Sequence, residues 1–401
     1  MTTISPAHAR TKPTLIEALT APKGFGDQTL RDRRPDAIEL LGGIPDPSVL
    51  PTQELAEATA RVLATPGAPS LQYSRTEGIP VLREWIAARE NVPVGRVLIT
   101  NGGFHGLSLA VQTVLDRGDL VAVDNPIFPL FLRGLELSAA QTLPIPVGRA
   151  GIDVGELADR LRAGARPAAL YTVPDFHNPS QSTLPTDQRR ELAALAERYG
   201  FIVFADNPYR ELRFRGEQAS AEPFHESDNV IHVNTFTKTL GPGLRLGWLV
   251  LPEHLVPDVV ALRSRQDSHS STFVQAVVAE LLTSDPTLFD TVLDSARELY
   301  RRRADTLADA LEAEAPGAFE IDRPEGGLFL WPRLRDGAID AERLVVDAGA
   351  EGVEYQRGSF FASAPGTDAD RRIRLAYGDT SEERLREAAR RIGLAAGRQI
   401  R

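Results

Sequence analysis

A mostly parallel α/β sheet covered by helices, followed by a smaller α+β region, is the fold this chain predicts. Three observations point to it. Short apolar runs alternate with segments of helical period from about residue 96 to 251. Past about residue 285 the texture changes to a long charged helix followed by short strands and helices. The apolar content of 42% in 401 residues is ample for the core that a large covered sheet needs.

The elements can be read in order. Residues 1 to about 35 are polar and proline-containing and read as an extended arm; with the turn-rich Leu41-Gly42-Gly43-Ile44-Pro45 they make an N-terminal segment of residues 1–45. A helical pattern fills about 50 to 90. Arg96 to Thr100 reads as a strand, followed by a glycine-rich loop and a helix from about 104 to 116. Further strands are expected at Leu120–Val123, Ala168–Val173, Phe201–Ala205, Val230–Asn234 and Leu246–Leu251. Between two of them, Leu192, Leu195, Ala196 and Tyr199 have helical spacing from Thr186 onward, and Gly200 stops the helix. A long helix over about 287–314, a helix from about 340, a strand at Arg372–Tyr377 and a C-terminal helix complete the pattern. The expected division is a large domain of residues 46–285 and a small one of residues 286–401.

Composition narrows the function. A net charge of -10 and a pI near 5.4 argue against a nucleic-acid partner. The chain has no cysteine, which excludes disulfide and thiolate chemistry. It has no apolar run long enough for a membrane span and no secretory-type N-terminus, so the cytoplasm is the expected compartment. Among 45 basic residues only three are lysines: Lys12, Lys23 and Lys238. Lysine can lose its proton and attack a carbonyl, whereas guanidinium cannot. Lys238 lies between two hydroxyl residues, after a strand and before Gly241-Pro242-Gly243-Leu244-Arg245, as a Schiff-base lysine beside an anion-binding loop would.

Ligands of an open parallel sheet collect beyond the carboxyl ends of its strands. Four polar sites fall at such ends: Gly102-Gly103-Phe104-His105-Gly106, Asn178, Asp206 with Tyr209, and Lys238. Each has an ordinary reading as a turn, a helix cap, surface packing or a solvated charge. Their order and spacing of about 30 residues carry the functional one. The glycine loop opens a helix, where small residues bring backbone N–H groups and the helix dipole close to a phosphate. It lacks the dinucleotide fingerprint, and Lys238 lacks a P-loop.

These residues resemble the fold type I pyridoxal-phosphate enzymes, whose fold is that of aspartate aminotransferase. Within them they are similar to class I/II aminotransferases, in the branch of the aminoadipate and kynurenine aminotransferases and the regulator-fused aminotransferase-like domains. The resemblance spans about residues 38 to 395. Thr235 to Gly247 is similar to S/T-x-S/T-K-T-L-x-P-G-L-R-x-G, Asp206 to Tyr209 to D-x-x-Y, and Asn178-Pro179 to the family's Asn-Pro. Tyr73, Gly78, Leu82 and Arg83 match a Y-x4-G-x3-L-R block.

The resemblance implies pyridoxal 5'-phosphate as cofactor, an amino acid and a 2-oxo acid as substrates, and no metal. Lys238 would form the internal aldimine and move the substrate proton. Asp206 would keep the pyridine nitrogen protonated. Asn178 and Tyr209 would hold the phenolic oxygen. The amides of Gly103 and Phe104, the hydroxyls of Thr235 and Thr237, and Arg245 would cradle the phosphate. Phe128 would stack on the ring, with a core aromatic as the alternative reading. Arg374 would clamp the substrate carboxylate, and Gly43 would lie in a loop over it. Tyr73 would reach the phosphate of a neighbouring subunit, implying a homodimer with shared sites.

The chain also departs from the pattern. His177 stands where glutamine is usual and Ser180-Gln181 where Thr-Gly is usual. Gly103-Phe104-His105 replaces a Ser/Gln-bearing loop, and Arg357-Gly358 a Pro-Gly. His105 and His177 are polar loop residues or extra acid-base groups. These departures keep β- or γ-elimination, replacement or cyclisation open beside amino transfer. A non-catalytic sensor domain is a further, weaker reading.

Overall fold

The computed structural model describes residues 36–217, 222–335, 337 and 339–400. The arm expected over residues 1–35 lies outside the described residues.

Strand β1 (Ile38–Leu40) precedes helices α1 (Thr52–Ala64) and α2 (Pro80–Glu90). Next come β2 (Val97–Thr100), α3 (Gly103–Val114), β3 (Leu120–Asn125), α4 (Pro129–Glu136), β4 (Gln141–Gly148), β5 (Gly151–Ile152) and α5 (Val154–Arg162). Then follow β6 (Ala169–Thr172), α6 (Thr186–Tyr199), β7 (Ile202–Asp206), β8 (Val230–Thr235) and β9 (Gly247–Val250). Helices α7 (Val256–Arg263), α8 (Thr272–Ser284) and α9 (Leu288–Glu314) lead to β10 (Phe319–Glu320), β11 (Phe329–Leu330) and β12 (Arg333–Leu334). The described chain closes with α10 (Ala341–Ala350), β13 (Val353–Arg357), β14 (Ile373–Ala376) and α11 (Glu382–Ile400).

Eight strands form one sheet in the order β2-β9-β8-β7-β6-β3-β4-β5. The run β8-β7-β6-β3-β4 is parallel, while β9 is antiparallel to both its neighbours and β5 is antiparallel to β4. Every residue of β6 and β8 is buried, so neither strand shows the polar alternation of a solvent-facing side: a parallel strand covered on both faces has none. Helix α6 spans the expected residues and ends on Gly200, whose φ of 73° is the left-handed C-cap conformation that glycine adopts at low cost.

Strand β4 is absent from the sequence reading because Pro144 and Pro146 lie within it. Only Val147 and Gly148 pair with β5, so most of β4 has an open side where a missing N–H costs no ladder bond. Helices α4, α7 and α8 and strands β1 and β13 are likewise additions to the expected pattern.

A second sheet has the order β1-β13-β14-β11. Strand β1 pairs in parallel with β13, so the segment read as the end of an N-terminal arm is a strand of the C-terminal sheet. Helix α9 buries Val292, Ala296, Tyr300, Arg303, Ala304, Leu307 and Leu311 at helical spacing and packs on α11. Among the described residues no helix is long and apolar enough to cross a membrane.

Candidate active site

A cavity of about 600 Å³ opens where β6, β7 and β8 end. Gly43, Gly103, Phe104, Phe128, Asn178, Asp206, Tyr209, Thr235, Thr237, Lys238 and Arg245 all line it. The large sheet delivers the loops carrying residues 103 to 245 to the same edge, and Gly43, just after β1 of the second sheet, joins them.

Lys238 follows β8 on a single 3-10 turn, Phe236–Lys238. Its Nζ donates to the Gly43 carbonyl at 2.7 Å and lies 5.9 Å from the Tyr209 ring centre. Burial, helped by the charges of Arg374 and Arg245 and opposed by Asp206, pulls its pKa down to about 8. About a tenth is therefore free amine at pH 7, and about half near pH 8.

Asp206 is the last residue of β7 and is buried. The Tyr171 hydroxyl donates to its Oδ2 at 2.9 Å, and Phe131 stacks on the Tyr171 ring at 3.7 Å. Burial raises the Asp206 pKa to about 7, against the opposing Tyr171 bond and Lys238 charge, while Asp124 pushes it further up. Such a carboxyl is poised to ionise fully when a cation comes to rest beside it.

The glycine loop and the start of α3 line the cavity beside Arg245. The first backbone acceptor of α3, the Gly102 carbonyl, takes the Gly106 N–H, which leaves the amides of Gly103 and Phe104, two cavity-lining residues, without an intrahelical partner. Gly102 has φ 86°, and a Cβ there would lie 2.8 Å from Arg245 Nη2, so this glycine keeps the guanidinium's place open. The Arg245 Nη2 also donates to the Asn101 carbonyl at 3.3 Å. Thr235 and Thr237 hydroxyls meet at 2.7 Å, and Thr235 Oγ1 donates to the Leu246 carbonyl at 2.9 Å.

Arg374, on β14, does not line the cavity directly but is joined to it. Its Nη1 donates to Asn178 Oδ1 at 2.7 Å, and Nη2 donates to the Leu41 carbonyl. The guanidinium is sandwiched between Phe329 and Phe361, 4.4 and 4.6 Å from their ring centres. Burial lowers its pKa to about 9, which leaves it cationic at neutral pH. Asn178 is also hydrogen-bonded to Tyr209, whose phenol burial pushes above its ordinary pKa.

Tyr73 is outside the cavity of its own chain. It is 93% exposed and meets His269 edge-on at 5.8 Å. His105 is outside it too: Nδ1 accepts the Asn101 N–H at 3.0 Å, and Nε2 is 3.7 Å from Asp267. The imidazole thus braces the glycine loop from behind, and burial lowers its pKa. His177 is buried behind Asn178, with Nε2 3.2 Å from Asp124 Oδ2.

Sequence reasoning missed Tyr171, Phe329, Phe361 and Asp124. Tyr171 sits inside an apolar strand and reads as core, and the phenylalanines read as core for the same reason. Asp124 offered one signal, a lone carboxylate at the end of a strand. Among the described residues Glu90, His225 and His232 could together hold a metal ion. However, Arg210 pairs with Glu90 at 3.1 Å and the two imidazoles bond each other at 2.6 Å, which leaves His232 Nε2 as the one nitrogen of these two rings without a protein partner.

A depressed-pKa amine, a buried carboxyl, a glycine-rich helix start beside one arginine and a second, buried arginine suit covalent carbonyl chemistry. The family described as Aminotransferase class I and II matches residues 42–392. An aromatic-amino-acid aminotransferase of Thermococcus litoralis is 32% identical over 89% of this chain and 87% of its own. A 2-aminoadipate transaminase of Thermus thermophilus is 34% identical over 90% of this chain and 91% of its own. The crystal structure of α-aminoadipate aminotransferase from Thermus thermophilus, complexed with N-(5'-phosphopyridoxyl)-L-leucine, superposes with a TM-score of 0.86 at 30% identity, covering 97% of this chain and 98% of that one.

Proposed function

The chain belongs to the class I and II aminotransferases, pyridoxal-phosphate enzymes that move an amino group from a 2-amino acid to a 2-oxo acid, and on that footing we propose the roles of its residues. The relatives' names favour amino transfer over elimination, replacement or cyclisation. The loop fits the cofactor's phosphate: a Cβ at Gly102 would crowd the Arg245 guanidinium at 2.8 Å, and Gly103 and Phe104, whose amides open α3, line the same space. The bound cofactor supplies an electron sink for the charge that develops at the substrate α-carbon.

The residues divide the remaining work. Lys238 would hold the cofactor through its free amine and would move the proton at the substrate α-carbon. Asp206 holds the proton at the ring nitrogen. Arg374 takes the α-carboxylate, with its plane set by the two phenylalanines and Asn178. Tyr209 and Asn178, which line the cavity, would hold the cofactor's phenolic oxygen, and Phe128 would lie against its ring. The single observation that carries this reading is the depressed amine of Lys238 facing Asp206 inside one cavity.

The side-chain class follows from the rest of the lining. Beyond the groups already assigned, Ile44, Leu107, Leu130, Pro242 and Phe329 line the cavity, and among the described residues there no further cation awaits a second carboxylate. Leucine or phenylalanine is therefore expected to exceed aspartate as donor to pyruvate, a monocarboxylic acceptor, by at least about tenfold in kcat/KM, since a buried unpaired carboxylate costs well over about 1.4 kcal/mol. A coupled alanine assay across a donor panel measures this. A preference for aspartate refutes the side-chain class, and no transfer from any donor refutes the activity.

We also propose a homodimer in which Tyr73 serves the partner's phosphate. Tyr73 touches His269, and nearby Asp267 accepts from Asn101 of the glycine loop at 2.7 Å, so the tyrosine lies on the loop's face yet outside its own cavity. Mixing inactive Tyr73→Phe and Lys238→Ala subunits should restore roughly a quarter of wild-type activity at limiting cofactor, because each hybrid rebuilds one intact site. Activity no higher than the parents' mean would place Tyr73 in its own chain's chemistry or in none.

A further inference from the structure

Apart from the pull of Asp124's charge on Asp206, His177 and Asp124 have no role in the chemistry above, yet both are buried beside it, at 1% and 0% exposure. The imidazole Nδ1 accepts the Ser180 N–H at 3.2 Å and lies 2.8 Å from Ser180 Oγ. Its proton therefore sits on Nε2, which points at Asp124 Oδ2, 3.2 Å away and off the ideal hydrogen-bond direction. Asp124 in turn accepts the Val173 N–H at 3.0 Å, at the end of β6. The ring is thus strapped between the end of β3 and the tight turn 177–182, where the Gln181 N–H returns to the His177 carbonyl at 2.6 Å.

Asn178 is the next residue after His177, and its amide bonds both Arg374 and Tyr209. Beyond it, Gln181 ties the same turn to the Asp322 carbonyl and the Trp331 N–H of the C-terminal part at 2.6 and 3.0 Å. The turn is therefore held at its far end by Gln181 and at its near end by the His177–Asp124 contact. We propose that Asp124 and His177 are positioning residues: their buried contact fixes the Asn178 amide and, through it, aims Arg374 at the substrate carboxylate. The pair contacts neither substrate nor cofactor. The proposal rests on the aminotransferase reading, since it needs a carboxylate for Arg374 to receive.

Arg374 also acts on Lys238. Its positive charge is the largest influence after burial in holding the amine pKa down, with Arg245 acting the same way and Asp206 against. Loosening Asn178 lets Arg374 move away from the amine, and the amine then regains basicity. This gives a readout separate from turnover: the pH dependence of pyridoxal-phosphate capture by the apoenzyme.

The test uses three full-length variants: His177→Ala, His177→Gln and Asp124→Asn. His177→Ala should raise the donor KM about tenfold while kcat falls less than about threefold, the loss of roughly one hydrogen bond's worth of alignment. The midpoint for cofactor capture should move up from about 8 by about 0.5 pH unit. His177→Gln, which can still donate toward Asp124, should recover most of both. Asp124→Asn changes no volume and should raise KM at least about threefold with the same sense of pH shift. If Asp124→Asn has wild-type KM and a wild-type capture profile, the proposal is wrong, whether or not His177→Ala folds. A lowered melting temperature with both readouts unchanged would reduce the pair to packing and overturn it equally. Failure of the wild-type protein to take up cofactor or transfer an amine would instead count against the aminotransferase reading.

Discussion

Lys238→Arg is expected to leave the fold intact and to lower turnover by at least roughly 10⁴-fold. The guanidinium can still donate to the Gly43 carbonyl, so the local bond that anchors the side chain has a replacement. What it cannot do is shed a proton near neutral pH, so neither condensation with an aldehyde nor proton transfer at the α-carbon remains. General acid-base work alone accounts for about 10²–10⁴-fold, and loss of covalent capture adds to it. The wild-type amine, with its pKa near 8, should take up cofactor faster as the pH rises toward 8 and level off above it. Stopped-flow absorbance follows this, and melting curves check the fold. Borohydride reduction should mark peptide 238 in the wild type only; a mark on Lys12 or Lys23, or normal turnover in the variant, would overturn the assignment.

Asp206→Asn should bind cofactor and turn over roughly 10²–10⁴-fold more slowly. The amide keeps an oxygen for the Tyr171 hydroxyl, so the strand end retains its shape. It loses the charge that would hold a proton on the ring nitrogen. Removing one partner of a buried ion pair costs about 3–5 kcal/mol, and each 1.36 kcal/mol is about tenfold in rate. Because burial raises the Asp206 pKa to about 7, the carboxyl depends on the ring's own charge to stay ionised. Single-turnover kinetics with a saturating donor isolates this step. A loss below about tenfold would show that another group does the work.

Most of the site was legible in the sequence because parallel strands deliver polar residues to one edge at regular intervals. Lys238, Asp206, Asn178 and the glycine loop each follow an apolar run, and the cavity collects all four. Arg374 was legible only through the resemblance, since nothing local marks an arginine inside a buried strand as a ligand. The residues that shape the site from behind were not legible. Tyr171 and Phe329 look like core because they are core: one face packs while the other holds a functional group. His105 and His177 stood out as departures, but spacing could not say which way they face. One braces a helix start, and the other lies against Asp124. Strand β4 was hidden by its prolines, and β1 because three residues pairing with a strand some 315 positions away leave no local pattern.

That parallel pairing of Ile38–Leu40 with Val353–Tyr355 has a practical consequence. The polypeptide's two ends are stitched into one piece, with Leu41 receiving Arg374 immediately after the stitch. Swapping the C-terminal sheet and its helices for those of a relative would strand an edge whose mate stays behind. An engineer who wishes to graft a new C-terminal part must carry the opening segment with it, as a single discontinuous cassette.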